Sequence, residues 1–241
     1  MPIKFNINNA IDLFYLDGGT TEFKNSLKQT LNYLQNDNNI SNIKEASYLL
    51  ATAKAEADYS LQRWESDYLC GKIGKPYHIK PCEKALNYYR SSNNKQNYYN
   101  LGTDKNGLPY FGRGLIQLTG KDNYEKYGRS AGLGNSLVID SNQALLSKNS
   151  YKIASAYLRD RTFKYVNTKD FTKARKSVNG GVKSLDKVNK EYDRWIKVFE
   201  NPKSKFADKG KFWTKTNKII LGLVIVATIG MGSYFLYKSA K

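Results

Sequence analysis

Residues 107–128 read GLPYFGRGLIQLTGKDNYEKYG. Gly112 and Gly114 allow the backbone to turn tightly or to approach a ligand closely. The amides of Gln117 and Asn123 can each donate and accept hydrogen bonds, which suits a site for a polar ligand. The segment therefore indicates a binding loop, although each glycine taken alone also fits ordinary loop punctuation.

A second segment, ATAKAEADYSLQRWESDYLCG at residues 51–71, carries two glutamates. The alanine-rich apolar pattern from Ile43 to Ala57 predicts a helix with Glu56 near its C-terminal end, where the helix end and the apolar neighbours favour a protonated carboxyl. A helix continued to Glu65 would separate the two carboxyl groups by about 13 Å of rise, which is too far to act on one glycosidic bond. A helix exit and turn at Asp58, Tyr59 and Ser60 would bring Glu65 back, and a separation of roughly 6.5–9.5 Å suits inverting hydrolysis. Two unrelated surface glutamates are the alternative.

A third segment, ARKSVNGGVKSLDKV at residues 174–188, places an Asn-Gly-Gly turn before a predicted helix. Together the segments resemble the glycoside hydrolase family 19 chitinases and their bacteriophage endolysin relatives. The run YFGRGLIQLTGKDNY is similar to the signature of that family, and VNGG is similar to its second hallmark. Both follow the glutamate region in the family's order, so the resemblance spans about residues 40–200.

The resemblance implies a mainly α-helical, lysozyme-like, two-lobed domain that cleaves a β-1,4 bond beside N-acetylated sugars with inversion. Glu56 matches the general acid, and Glu65 matches the general base that activates water. The polar positions that match the sugar-binding cleft of the family are Gln117, Thr119, Asn123 and Asn179. Many relatives have a histidine before the acid, whereas this chain has Ala55. No metal or organic cofactor is implied, because two carboxylates and a water suffice for the reaction.

Three aromatic residues close to these motifs have two interpretations. Trp64, Tyr110 and Tyr124 could stack on sugar rings as part of a binding site, or they could be buried in the core. The sequence leaves both interpretations open.

The remainder of the first 200 residues is mostly helical in pattern. Apolar residues recur at spacings of three and four in IDLFYL, FKNSLKQTLNYLQ, IKEASYLLATAKAE, YKIASAYLRDRTF and VNKEYDRWIKVFE. A long polar loop, residues 87–114, separates two of these segments. We predict one glycoside hydrolase domain over residues 1–200, a basic linker over 201–217 and a transmembrane helix over 218–238.

The membrane anchor is predicted from Ile219 to Tyr237, IILGLVIVATIGMGSYFLY, which has no charged residue and is long enough to cross a bilayer. A buried core helix is the weaker alternative, because such helices seldom run this long without a polar face. The N-terminus lacks the features of a secretory signal. The lysines before the anchor predict that the large domain stays on the cytoplasmic side.

The formal net charge of +18 favours polyanionic partners such as bacterial wall polymers. The cations are dispersed along the chain, which argues against a dedicated nucleic-acid site. Cys70 and Cys82 form either a local disulfide or two thiols, depending on the compartment. His78 is the single histidine, so a histidine-based triad or zinc centre is not expected.

These features lead to a membrane-anchored peptidoglycan hydrolase of phage type as the first hypothesis, with the glycan strands and the bilayer as its partners. Chitin is the alternative substrate, and an inactive wall-binding membrane protein is the alternative class. A cytoplasmic domain does not reach the wall, so we expect action either during lysis from the host inner membrane or from the internal membrane of a lipid-containing virion. The sequence leaves the oligomeric state open.

Overall fold

Helices account for most of the structure in the computed structural model, which describes residues 5–14, 21–64, 82–91, 102–202 and 204. In chain order the α-helices are α1 Ile7–Phe14, α2 Thr21–Gln35, α3 Ile43–Ala57, α4 Glu83–Ser91, α5 Lys121–Ser130, α6 Ser136–Ile139, α7 Ser147–Arg161, α8 Phe163–Asn167, α9 Phe171–Asn179 and α10 Leu185–Glu200. A short 3₁₀ helix, Ser141–Leu145, precedes α7. Within the described ranges, β pairing is confined to isolated bridges. The prediction of a mainly α fold is confirmed.

All the described residues lie in one compact unit, Met1–Phe206, and a second unit comprises Ala207–Lys241. The predicted anchor from Ile219 to Tyr237 lies outside the described residues. So does most of the predicted linker. Among the helices that are described, none is long and apolar enough to span a bilayer.

The central helix is α3, whose ends are both fixed by hydrogen bonds. At its start the side chain of the N-cap residue Asn42 accepts from the Glu45 amide, and Glu45 Oε2 accepts from the amide of Ser41, the residue before the N-cap. At its end Asp58 and Tyr59 adopt left-handed backbone angles with φ of 47° and 63°. The chain therefore leaves the helix directly after Glu56 and Ala57, where the sequence predicted a turn.

Helix α3 packs along α10, and an aromatic cluster fixes the chain after α3 to that helix. The rings of Phe14 and Trp195 stack with their centroids 4.4 Å apart. The indole Nε1 of Trp195 donates to the Tyr59 hydroxyl at 2.8 Å, so the residue that follows the α3 exit is locked into the core. This contact stabilises the backbone turn that positions Glu56.

The segment at residues 107–128, which we call the signature loop, folds around a buried arginine. Arg113 is 1 % exposed, and its guanidinium donates to the carbonyls of Pro109 and Phe111, to the Tyr124 hydroxyl and to the Asn142 side chain. These groups come from three separate parts of the chain. Arg113 therefore stabilises the loop that leads into the cleft described below.

The backbone of this segment reverses between Arg113 and Leu118, whose amides and carbonyls pair at 3.2 Å and 2.9 Å. The amide of Gly114 donates to the Arg63 carbonyl at 2.6 Å, which ties the segment to the chain after α3. The reversal thus brings the signature loop alongside the end of α3.

Candidate active site

Glu56 is the penultimate residue of α3, and its side chain is 18 % exposed, between the buried core and the surface. The same turn of the helix contributes Ala53 and Ala57, which are both fully buried. A carboxyl group at this position lies against apolar helix surface on one side and opens into a cleft on the other. The predicted position of Glu56 near the C-terminal end of a helix is confirmed. Its role as the general acid stays a prediction.

Arg175 of α9 is the partner of Glu56. Its Nη1 donates to Glu56 Oε1 at 2.6 Å, and its Nε donates to the Lys183 carbonyl at 2.8 Å. The arginine side chain is 4 % exposed, so the charged contact is shielded from water on its cationic side. The other carboxyl oxygen, Oε2, has no hydrogen-bond partner among the described residues. One oxygen of Glu56 is therefore fixed by the protein and the other remains available to a ligand.

A polar cleft with a volume of about 1030 Å³ opens beside Glu56. One wall comes from the signature loop and the start of α5, and the other from the end of α9 and the turn that follows. The residues lining it are Glu56, Gly102, Ile116, Gln117, Leu118, Thr119, Gly120, Lys121, Asp122, Asn123, Tyr157, Val178, Asn179 and Lys183. The structure thus brings Glu56 together with Gln117, Thr119, Asn123 and Asn179.

The three polar side chains of the signature loop also hold the loop itself. Gln117 Nε2 donates to the carbonyls of Arg63 and Gly114, Thr119 Oγ1 donates to the Gln117 carbonyl, and Asn123 Nδ2 donates to the Thr119 carbonyl. These bonds engage both N–H groups of Gln117, the hydroxyl proton of Thr119 and one of the two N–H groups of Asn123. The side-chain carbonyl oxygens of Gln117 and Asn123 are the groups left to accept hydrogen bonds from a ligand in the cleft.

Asn179 ends α9, and the glycine after it caps the helix. Gly180 adopts φ of 76°, a left-handed angle that favours glycine. The Asn179 side chain accepts from the Gly181 amide at 3.0 Å and donates to the Lys183 carbonyl, which also accepts from Arg175. Asn179 of the Asn-Gly-Gly turn and Arg175, which holds Glu56, are therefore connected through the Lys183 carbonyl.

The stacking interpretation of the aromatic residues is wrong for this structure. Trp64, Tyr110 and Tyr124 are each 0 % exposed, so no ring face is available to a sugar. Tyr110 and Tyr124 pack on each other with centroids 4.9 Å apart, and Trp64 packs on Phe111. These rings are buried in the core under the signature loop, which is the second of the two interpretations that the sequence left open.

Tyr157 is an aromatic residue that does line the cleft. Its hydroxyl donates to the carbonyls of Ser177 and Val178 at 3.2 Å and 3.1 Å. Burial raises the pKa of this hydroxyl, and the nearby Glu56 carboxylate adds to the shift while Arg161 opposes it. Tyr157 therefore stays a neutral hydrogen-bond donor at neutral pH and supports the end of α9.

Some predicted features lie outside the described residues. Glu65 is among them, so its pairing with Glu56 stays a prediction. Cys70 and His78 also fall outside, whereas Cys82 is disulfide-bonded. In the part of the chain that the structure describes, no group of three or more His, Cys, Asp or Glu side chains is placed to hold a metal ion.

Sequence reasoning missed Arg175 as part of the site. A signal for it was present, because Phe171, Ala174 and Val178 form an apolar stripe at helical spacing and Arg175 falls on the same stripe. A charged residue on the buried face of a helix requires a partner of opposite charge or several hydrogen bonds. The pattern indicates that a partner exists, but it does not say that the partner is Glu56, 119 residues earlier.

No protein-family model matches the chain, and no curated protein matches it. Among solved structures the chain is similar to a crystal structure of a mutant of chitinase C, with 14 % sequence identity and a TM-score of 0.48. The match covers 81 % of this chain and 93 % of that one. A likeness at this level does not by itself define the family or the activity of this chain.

Proposed function

We propose that this protein is a glycoside hydrolase that cleaves β-1,4 bonds between the N-acetylated sugars of peptidoglycan with inversion of configuration. The observation that carries the proposal is the position of Glu56. Its carboxyl group opens into a polar cleft lined by the two sequence segments that resemble the hallmarks of glycoside hydrolase family 19. Such a cleft fits an extended sugar chain better than a small buried ligand.

In the proposed reaction, Glu56 starts in its protonated form and donates that proton to the oxygen of the leaving sugar, which leaves a carboxylate that pairs with Arg175. Since Arg175 holds Oε1, we assign the proton transfer to Oε2. Glu65 removes a proton from a water that attacks the anomeric carbon from the opposite face, which inverts its configuration. The oxocarbenium-like transition state is positioned by hydrogen bonds from the sugar to the acceptor oxygens of Gln117 and Asn123.

The choice of peptidoglycan over chitin is part of the proposal. It is supported by the resemblance of the sequence to the endolysin branch and by the net charge of +18, which suits an anionic wall. The chemistry at the bond is the same for both polymers. The substrate is therefore decided by what the protein binds around the cleft.

The proposal is tested by digestion of purified peptidoglycan and, in parallel, of chitin oligomers by the full-length chain. Released reducing ends are counted, and the anomeric configuration of the first product is read by NMR. We expect wall fragments of inverted configuration. Retained configuration contradicts the assignment of Glu65 as a base, and a folded protein that binds wall material without releasing fragments is the inactive wall-binding protein instead.

We also propose that the segment from Ile219 to Tyr237 anchors the enzyme in a membrane, either the host inner membrane or the internal membrane of a lipid-containing virion. The support is its length, its lack of charge and the lysines that flank it. The full-length chain should stay with the membrane fraction in alkaline carbonate. Release into the supernatant contradicts the anchor, and absence of the protein from purified particles rejects the virion.

A further inference from the structure

A second hollow, which we call the basic groove, lies beside the cleft and has a volume of about 400 Å³. It is formed by the end of α7, by α8 and by α9. Four cationic side chains line it, Arg161, Lys164, Lys173 and Lys176, against one carboxylate, Asp160. All four cations are exposed to solvent.

The charges in the basic groove are unevenly matched. Asp160 accepts from Lys126 at 2.7 Å and from the Tyr127 hydroxyl at 2.8 Å, so it is engaged outside the row of four cations. Lys173 pairs with Asp170 at 3.0 Å. The other three cations form no close ion pair with a carboxylate among the described residues, and Asp160 and Asp170 act on Arg161 and Lys176 only at longer range. An anion that entered the groove would therefore meet positive charge that the protein itself leaves unbalanced.

The basic groove and the cleft share a wall. Along α9, Lys176 and Ser177 line the groove, and the next two residues, Val178 and Asn179, line the cleft. On α7, Tyr157 lines the cleft and Arg161 lies one turn later over its ring, with the guanidinium carbon 5.2 Å from the centroid. A group attached to a sugar in the cleft would thus need to cross only this wall to reach the cations.

We infer that the basic groove binds the carboxylates of the short peptides attached to the glycan strand, and that it makes the enzyme prefer peptidoglycan to chitin. This inference rests on the proposed function. Chitin carries no carboxylate, so the cations would contribute nothing to its binding. Peptidoglycan is the glycan of this chemistry whose sugars carry acidic peptides, and a groove of this size suits a short peptide rather than a long polymer track.

The test compares binding of two soluble ligands by the full-length chain carrying Glu56→Gln, which prevents turnover during the measurement. One ligand is a peptidoglycan disaccharide with its peptide, and the other is the same disaccharide after enzymatic removal of the peptide. The double variant Lys164→Gln and Lys176→Gln removes two unpaired cations. The matched control, Lys148→Gln and Lys152→Gln, removes two exposed lysines of α7 that line a different hollow.

We expect the groove variant to bind the peptide-bearing ligand about tenfold more weakly at low salt, with a smaller loss at high salt. Its affinity for the stripped ligand and both affinities of the control should be unchanged. Equal affinity of the groove variant and the parent for the peptide-bearing ligand overturns the inference, and so does an equal loss on both ligands. Binding of a phosphate-rich wall polymer and of DNA is measured in parallel. If the groove variant loses affinity only for one of these two polymers, the inference is also overturned.

The binding test of the groove and the activity test of the proposed function can fail independently, because the affinities for the peptide-bearing and the stripped ligand are measured without turnover. The wild-type chain could cleave stripped glycan strands while the groove variant binds the peptide-bearing ligand as tightly as the parent does. In that case the proposed hydrolase function is supported and the groove assignment fails. If no glycan is cleaved at all, the proposed function fails on that result alone.

Discussion

Arg175 and Glu56 lie 119 residues apart in the sequence and are joined by a hydrogen-bonded ion pair of 2.6 Å between Nη1 and Oε1. The pair connects the end of α3 to the Asn-Gly-Gly turn, because Arg175 also donates to the Lys183 carbonyl within that turn. The wall formed by the end of α9 and the turn after it is thus fixed to the end of α3 through one guanidinium. The geometry around the candidate acid depends on this contact.

Replacing Arg175 with methionine should lower both stability and turnover. Removing one partner of a buried ion pair costs about 3–5 kcal/mol, and because Glu56 is partly exposed we expect a loss of about 1–3 kcal/mol in the free energy of unfolding. Turnover should fall in kcat more than in KM, since the carboxyl loses its orientation while the cleft remains. Urea unfolding and wall digestion measure the two effects. For the unfolding measurement alone, the control is Lys176→Met at the exposed next position, and an equal loss of unfolding free energy in both variants contradicts the role of the pair.

The glycines of the signature loop should differ sharply in their tolerance of alanine. A Cβ at Gly114 would lie 2.7 Å from Ser150 Oγ and 3.0 Å from the Ala144 carbonyl oxygen, while one at Gly120 meets nothing within 4 Å. Both residues have positive φ, and Gly120 combines it with a ψ of 142°, so both substitutions carry a backbone cost of about 1–3 kcal/mol. Steric overlap should add about 1–3 kcal/mol at Gly114 only.

Thermal or urea unfolding of Gly114→Ala and Gly120→Ala measures this difference. The Ser150 hydroxyl cannot simply rotate away, because it accepts from the Leu115 amide at 2.8 Å. Equal stability of the two variants would mean that the loop shifts freely, and that the packing described for Gly114 is not maintained in solution.

Loss of the hydroxyl should change the free energy of unfolding differently at two buried tyrosines. The Tyr48 hydroxyl is buried without a hydrogen-bond partner in the described structure, and burial raises its pKa, so the group stays neutral. The Tyr124 hydroxyl donates to the Phe111 carbonyl at 2.7 Å and accepts from Arg113. Tyr124→Phe should cost about 1–2 kcal/mol, whereas Tyr48→Phe should be neutral or slightly stabilising. A larger loss for Tyr48→Phe in urea unfolding would be the contrary result.

Asp160 should make stability depend on acidic pH. The hydrogen bond from Lys126, followed by that from Tyr127, holds the pKa of this carboxyl below its ordinary value of 3.8. The folded state therefore favours the ionised form, and the contribution is fully present above the unfolded pKa and is lost as pH falls through the folded pKa. For a pair this exposed we expect a few tenths to about 1 kcal/mol.

Urea unfolding of the wild-type chain and of Asp160→Asn at pH 6 and again at pH 2.5 tests this dependence. The difference in unfolding free energy between the two proteins should shrink at the lower pH. A difference that stays constant, or grows, on acidification contradicts the ionised state assigned to Asp160.

The sequence predicted the helices well and the interior of the loops poorly. Helix α3 lies at Ile43–Ala57 as its apolar pattern predicts, because a helix that buries one face must repeat its apolar residues with the helical period. The turn after Glu56 was predicted from Asp58 to Ser60, and Asp58 and Tyr59 adopt the left-handed angles that end the helix.

Trp64 and Tyr110 lie in irregular structure, where no period distinguishes a ring that faces a ligand from one that faces the core. Tyr124 lies in α5 and shares its buried face with Tyr127 and Gly128. Arg113 lies beside these rings, forms a backbone bridge with Trp64 and donates to the carbonyls of Pro109 and Phe111. The pairing of Arg175 with Glu56 is likewise a long-range contact, which local pattern does not encode. The polar set that lines the cleft came from motif resemblance, and its members do lie together.

The central claim is that Glu56 is the proton donor of a wall hydrolase, and it is tested most directly by the rate of peptidoglycan digestion by full-length Glu56→Gln. The matched control is Glu125→Gln, which alters an exposed glutamate paired with Arg129 on α5, and circular dichroism verifies that both variants are folded. We expect Glu56→Gln to lose activity by at least about a hundredfold while Glu125→Gln digests at nearly the wild-type rate. Release of wall fragments by folded Glu56→Gln at the wild-type rate would contradict the account.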